Sequence, residues 1–225
     1  MPRADQLLTP AVEDYAKAIY ALQPQDGEPV STNAIAERLG VTPGSVSTML
    51  RKLADLGLAE HEPYRGVRLT ADGRRRALEV IRHHRLLELF LVEVLEVPWD
   101  RVHDEAEVLE HVLSEELEGL ISAKLGHPTI DPHGDPIPSP DFVIAEPDTQ
   151  PLAGLPVGAL GTFVRVSDSD PAMLRYLSER GIAPGDRLEI VDRQPFGGPV
   201  FARFDASVEV LGGDLAAAMQ VEVDA

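Results

Sequence analysis

The 225 residues include no cysteine. Disulfides, thiolate metal sites, iron–sulfur clusters and cysteine nucleophiles are therefore excluded. No apolar run approaches the roughly eighteen residues that a bilayer-spanning helix needs. The opening stretch, MPRADQLLTP, lacks the apolar core of a secretory signal. A soluble, cytoplasmic protein with no membrane partner is the expectation. Internal repeats are also missing. Apolar residues are not scarce: at 44% they suffice for packed cores and exclude wholesale disorder. The length suits one large domain or two to three small ones.

Positive charge is in deficit, with a net charge of −18, which at first sight disfavours nucleic acid as a partner. The deficit is uneven. Residues 1–76 carry 10 Lys+Arg against 10 Asp+Glu, residues 77–145 carry 4 against 15, and residues 146–225 carry 6 against 13. The first third is neutral, while the middle third concentrates carboxylates that would accept a cation.

Apolar positions Val12, Ala16, Ile19, Tyr20 and Leu22 predict a helix from Thr9 to about Gln23, with Thr9 as N-cap and Pro10 in its first turn. A short helix from Thr32 to Leu39 follows, capped by Ser31 and stopped by Gly40. A third runs from Thr42-Pro43 to Leu56. Leu58–Glu62 and Gly66–Thr70 then read as two strands around a Pro63-Tyr64-Arg65 tip. Three helices and a hairpin give the order of a winged helix-turn-helix, with the third helix the one offered to a DNA major groove. Its outward positions hold Thr42, Ser45, Ser47, Thr48, Arg51 and Lys52, and Thr32 opens the helix before it. The hydroxyls suit phosphates or base edges and the cations suit phosphates. Arg65 and Arg68 place basic groups on the wing. The competing reading is a winged helix used for protein contact.

A long helix spans Ala71 to about Val97. Its broad apolar stretch from Leu86 to Leu95 exceeds what one small core can use, which suggests a dimer seam. Pro98-Trp99 breaks it, and a further helix is expected from about Val102 to Leu125. Residues 126–156 are dense in proline and glycine and read as an ordered turn region followed by a linker. Gly161–Val166, Arg187–Val191 and Phe201–Phe204 alternate as short strands, with a helix from Pro171 to Arg180 between them. They suggest a small β-barrel. The expected fold is thus mainly α with a small β domain: winged helix-turn-helix over 1–72, a helical domain over 73–145, and a linker with the β domain over 146–225.

The histidine spacing carries the chemistry. His103, Glu107 and His111 step by four in the predicted helix from Val102, with Glu110 beside them, and His84 and Glu88 step by four in the helix before. Two neighbouring helices would each offer imidazole and carboxylate to a cation. A solvated acidic face and an intrahelical His–Glu pair are the plainer alternatives. HExxH is absent, so zinc catalysis of that type is not indicated. His83 reads as an exposed neighbour, and His61, His127 and His133 lie in turn or wing contexts.

Together these segments resemble the diphtheria toxin repressor family of divalent-metal-dependent transcriptional regulators. The resemblance covers essentially the whole chain. It is carried by Glu13-Asp14-Tyr15 through Ile19-Tyr20, Ile35-Ala36-Glu37-Arg38-Leu39, and Leu69-Thr70 with Gly73. Arg85-Leu86-Leu87-Glu88, Val102-His103-Asp104-Glu105-Ala106, Glu110-His111 and Gly134-Asp135-Pro136-Ile137-Pro138 complete it.

The resemblance implies a winged helix, a helical metal-binding and dimerisation domain, and a C-terminal SH3-like domain. It implies two metal sites per protomer. The primary one would use Asp14, Glu107, Glu110 and His111. The ancillary one would use His84, Glu88 and His103, completed from the SH3-like domain by Asp168 or, if the loop carries a gap, Asp170. Iron-responding members have Met and Cys where Asp14 and Glu107 stand. Manganese-responding members carry carboxylates, as here, and hard oxygen ligands weaken the preference for iron relative to manganese. Two-domain manganese regulators have a Glu one turn after the Asp; this chain has Lys17, so two separated sites fit better than a close binuclear cluster. The expectation is a homodimeric, Mn(2+)-activated repressor binding double-stranded operator DNA. The alternatives are an Fe(2+)-dependent repressor of iron-uptake genes, a metal buffer, or a metallohydrolase built on His84, Glu88, His103 and Glu110.

Overall fold

The computed structural model describes residues 8–24, 27–62 and 65–224. They form two compact units. The first holds the described residues up to His83, with Glu110–Leu113 and Pro138–Phe142. The second holds His84–Leu109, Ser114–Ile137 and the chain from Val143 onward.

In the first unit, α1 (Pro10–Leu22) buries Val12, Tyr15, Ala16 and Ile19, spaced three or four apart so that they share one face. Thr9 precedes it, but its side chain makes no capping bond; Pro10 starts the helix, because its missing N–H is one that the first turn leaves unpaired anyway. In α2 (Thr32–Leu39) the Ser31 hydroxyl accepts from the Ala34 N–H, and Gly40 ends the helix at φ 64°, a left-handed conformation that suits glycine. In α3 (Pro43–Asp55) the Thr42 hydroxyl accepts from the Ser45 N–H. Strands β1 (Ala59–Glu62) and β2 (Gly66–Leu69) pair antiparallel as the wing. Val30 bridges to Val67 and draws the segment before α2 against the wing. Val46, Leu50 and Leu53 from α3 complete a core with Ile35, Leu58 and Val67. This is the winged helix-turn-helix that the helix order predicts. Helix α4 (Ala71–Leu95) starts in this unit and ends in the other.

The second unit corrects the single helix expected from Val102 to Leu125. It is two helices, α5 (Val102–Leu109) and α6 (Glu115–Lys124). The interruption is local chemistry. Ser114 accepts from the Leu117 N–H and restarts the helix, and Glu115, Glu116 and Glu118 favour the positive end of its dipole. Glu110 and His111 consequently lie in the intervening turn, off the His103–Glu107 face.

Beyond the proline-rich segment comes a six-stranded antiparallel sheet in the order β3-β8-β4-β5-β6-β7. Its strands are β3 (Gln150–Pro151), β4 (Leu160–Val166), β5 (Arg187–Arg193), β6 (Val200–Phe204), β7 (Ser207–Leu211) and β8 (Met219–Val223). Helix α7 (Pro171–Ser178) falls where sequence placed it, and α8 (Gly213–Ala218) leads into β8. Phe163, Ile190, Leu174, Leu177 and Val221 are buried between sheet and helices, with Trp99 packed on them. This is the small SH3-like β domain. Among the described residues no helix is long and apolar enough to cross a membrane.

Candidate metal centres

The first unit gathers one cluster. The α1 face beside the buried stripe presents Glu13, Asp14 and Lys17, and the turn after α5 supplies Glu110 and His111. His111 Nε2 stands 3.0 Å from Asp14 Oδ1 and 3.6 Å from Glu110 Oε1. Its other nitrogen, Nδ1, lies 2.7 Å from Glu13 Oε2. An imidazole that donates from Nδ1 to Glu13 turns its Nε2 lone pair toward Asp14 and Glu110, the orientation a metal ligand requires. Glu110 is fully buried at its carboxylate, and Lys17 Nζ donates to both of its oxygens, at 2.7 and 3.0 Å. His83, read from sequence as exposed, is buried instead, with Nδ1 3.1 Å from the Glu110 carbonyl. Its place on the inner face of α4 is the reason. Ligand atoms of Asp14, Glu110 and His111 all lie within 4.8 Å of one another.

The second unit gathers another. His84 Nε2 is 3.0 Å from Glu88 Oε1, one turn along α4. His103 Nδ1, from α5, is 3.5 Å from the same oxygen and 2.9 Å from Asp168 Oδ2. His84, Glu88, His103 and Asp168 form one group within 4.8 Å. Asp170 is used differently: its carboxylate accepts from the Ala172 N–H and caps α7. Glu107 belongs to this unit too, 3.8 Å from His84 Nδ1 and 3.8 Å from His103 Nε2.

Two residues here were not singled out by sequence spacing. His133 is completely buried, 3.6 Å from Glu88 Oε2, with its ring stacked on Trp99 and its Nε2 2.9 Å from the Trp99 carbonyl. Asp131 joins Glu88 and His133 in a third group, buried throughout. Its carboxylate accepts from the His133 and Asp135 N–H groups, an Asx turn that holds the loop. Gly134 lies at φ 88°, and a Cβ there would sit 1.9 Å from the Val164 carbonyl oxygen. The Asp-Pro-His-Gly-Asp string carried that turn signal. Nothing local in the sequence said which way His133 would face.

Electrostatics separate the members of this cluster. The carboxylates of Asp168 and Glu88 at its edge hold the His103 imidazole protonated up to about 10, against the pull of partial burial. Burial also opposes protonation of His133, but Glu88 and Asp131 outweigh it and raise its pKa to about 9. Glu88 is held well below the usual carboxylate range, since His103, His133 and His84 overcome its desolvation. Asp131 is pushed up to about 7, first by burial and then by the Glu88 and Asp135 charges.

The winged helix places its sequence-predicted residues as follows. Thr42, Ser45, Thr48, Arg51 and Lys52 are exposed on α3, whereas Ser47 and Thr32 are half-buried. Ser47 and Thr48 donate to the carbonyls of Pro43 and Gly44, and Arg51 donates to the Ser47 carbonyl. These side chains lie along their own helix, with donors that a phosphate would redirect. Arg65 is exposed beside Glu62 on the wing, and Arg68 donates to the Gly27 carbonyl.

Comparison with known proteins agrees with this fold. Residues 7–67 match the model for the iron-dependent repressor N-terminal DNA-binding domain. Residues 70–139 match that for its metal-binding and dimerisation domain, and residues 150–223 match the FeoA domain. The iron-dependent repressor IdeR of Mycobacterium leprae is 33% identical over 96% of this chain and 98% of its own length. The chain belongs to the diphtheria toxin repressor family. The diphtheria toxin repressor of Corynebacterium efficiens is 32% identical over 96% of both chains. A solved structure described as a manganese-dependent transcriptional repressor in complex with manganese is 44% identical. It superposes with a TM-score of 0.86 over 95% of this chain and all of that one.

A member of the diphtheria toxin repressor family is a metal-dependent regulator of transcription and not an enzyme, so the metallohydrolase alternative falls. The donor sets fit a divalent ion on their own terms. His103 Nδ1 is buried and stands 2.9 Å from Asp168 Oδ2. His133 Nδ1 is buried without a hydrogen-bond partner among the described residues. Imidazole nitrogens and carboxylate oxygens gathered this closely suit a shared cation, and their hardness suits Mn(2+) or Fe(2+).

Proposed function

We propose that the protein is a homodimeric, manganese-activated repressor that acts in the cytoplasm on double-stranded operator DNA of metal-homeostasis genes such as those for manganese uptake. The observation that carries this reading is the convergence of Asp14, Glu110 and His111 without any sulfur donor. Asp14 comes from the first helix of the winged-helix domain, and Glu110 and His111 come from the turn after α5. A divalent ion supplies positive charge where carboxylates otherwise repel. Held by these side chains, α1 and the turn take one fixed relation, and the recognition helix α3 packs directly on α1 and α2. Two half-sites about 34–36 Å apart on one duplex face need such a fixed posture in each protomer. Linkage then requires that DNA tighten metal binding as much as metal tightens DNA binding.

Asp14, Glu110 and His111 would hold the activating ion, with Glu107 the fourth ligand inferred from sequence. His84, Glu88, His103 and Asp168 would hold the ancillary one. The deciding experiment titrates operator binding with Mn(2+), with anaerobic Fe(2+) at matched free concentration, and with chelator. Asp14→Ala and His111→Ala are expected to need at least about tenfold more Mn(2+) while keeping the folded circular dichroism spectrum. Operator binding that persists in strong chelator refutes the proposal. An iron-responsive repressor is the second reading, favoured by the mycobacterial and corynebacterial relatives. It predicts the stronger response to Fe(2+) in the same titration.

A further inference from the structure

Lys17 places a cation inside the first cluster, and its position is specific. The ammonium lies on both oxygens of a carboxylate that is completely shielded from water. A buried carboxylate needs a counter-charge, and without metal Lys17 provides it. Any divalent ion shared with Asp14 and His111 needs at least one of the two Glu110 oxygens. Lys17 must surrender that contact and then remain as a positive charge beside the incoming ion. We infer that Lys17 is an internal competitor for Glu110 that stabilises the metal-free protein and raises the metal concentration at which the site fills. The inference rests on the assignment of Asp14, Glu110 and His111 as metal ligands.

Charge counting favours a cation at this cluster. Glu13, Asp14 and Glu110 bring three carboxylates and Lys17 brings one ammonium, so negative charge stays in surplus with the ammonium in place. Without the ammonium the site would hold a divalent ion more tightly, by about tenfold or more, the scale on which one neighbouring charge shifts a carboxylate's ion equilibria. The metal-free protein would lose a cationic partner of a buried charge.

The test uses the full-length protein and Mn(2+) alone, with bound ion counted by loss of the free-Mn(2+) electron paramagnetic resonance signal. Lys17→Gln and Lys17→Met are both expected to lower the half-saturating concentration of one ion per protomer by about tenfold. They are also expected to lower the melting temperature in chelator, whereas Lys17→Arg stays near wild type in both. Gln keeps hydrogen-bonding capacity and Met keeps only the stem, so agreement between them assigns the effect to charge. His111→Ala is the control for the underlying site. If it removes one bound ion while Lys17→Gln and Lys17→Met bind Mn(2+) no more tightly than wild type, the inference is overturned and the ligand assignment stands. If His111→Ala leaves the ion count unchanged, the ligand assignment fails and the inference goes with it.

Discussion

His103 carries two carboxylates at one ring nitrogen, and the consequence for proton and metal binding has a definite sign. Its pKa is raised from the ordinary 6.5 to about 10 by Asp168 and Glu88. The stabilisation from the charged imidazole in metal-free protein is fully present below pH 6.5 and is lost as pH rises through about 10. A metal ligand must be deprotonated, so an ion held as proposed by His84, Glu88, His103 and Asp168 would expel a proton from His103 below about pH 10. Calorimetric titration with Mn(2+) in buffers of different ionisation enthalpy is expected to record proton release near neutral pH that vanishes above pH 10. The chelated protein should lose melting temperature over pH 7–10 more steeply than the Mn(2+)-loaded one. Release that is the same in His103→Gln would show that the proton comes from elsewhere.

The loop at Asp131–Asp135 decides whether His133 and Asp131 reach Glu88 at all, and its geometry rests on Gly134. With φ at 88° and a would-be Cβ only 1.9 Å from the Val164 carbonyl, Gly134→Ala must move either the loop or β4. The backbone penalty alone is about 1–3 kcal/mol. The variant is expected to melt lower than wild type and to weaken Mn(2+) binding at the Glu88 cluster, while ion uptake by Asp14, Glu110 and His111 is unchanged. Calorimetry on Gly134→Ala with and without His111→Ala separates the two sites. This loop also marks where sequence reading stopped. His84 and Glu88, and His103 and Glu107, were legible because an unbroken helix repeats its face every four residues. His111 kept the register on paper, yet Ser114 restarted the helix and delivered it to a different cluster from His103. His133 and Lys17 acquire their partners through long-range packing, which no local spacing encodes. In the β domain, β4, β5, β6 and α7 announced themselves by alternation and by Pro171. β7 did not, because the turn between β6 and β7 is made by Asp205-Ala206, with Asp205 at φ 47°, and not by an Asn-Gly or Asp-Gly pair.

At the scale of the whole chain, a net charge of −18 must be reconciled with a DNA-binding domain. Residues 1–76 are neutral overall, and the exposed α3 face carries Arg51 and Lys52 with no carboxylate from Thr42 to Lys52. Attraction to DNA must therefore come from few phosphate contacts made at short range, where the Debye length of about 8 Å at physiological salt hides the acidic remainder. Counterion release makes the slope of log K against log salt about −0.9 per neutralised phosphate. The Mn(2+)-loaded protein is accordingly expected to show a shallow slope, and Lys52→Gln should reduce its magnitude by about one unit if the ammonium meets a phosphate. Ser45→Ala, which removes a hydroxyl and no charge, should weaken binding without changing the slope. Fluorescence anisotropy with a labelled operator from 50 to 300 mM potassium chloride (about a sixfold range) resolves the difference. A slope unaffected by Lys52→Gln and by Arg51→Gln would remove α3 from the phosphate backbone and return the winged helix to a protein-contact role. A slope that falls with either variant, but only when manganese is present, would tie the charge of α3 to a cation at the cluster of Asp14, Glu110 and His111.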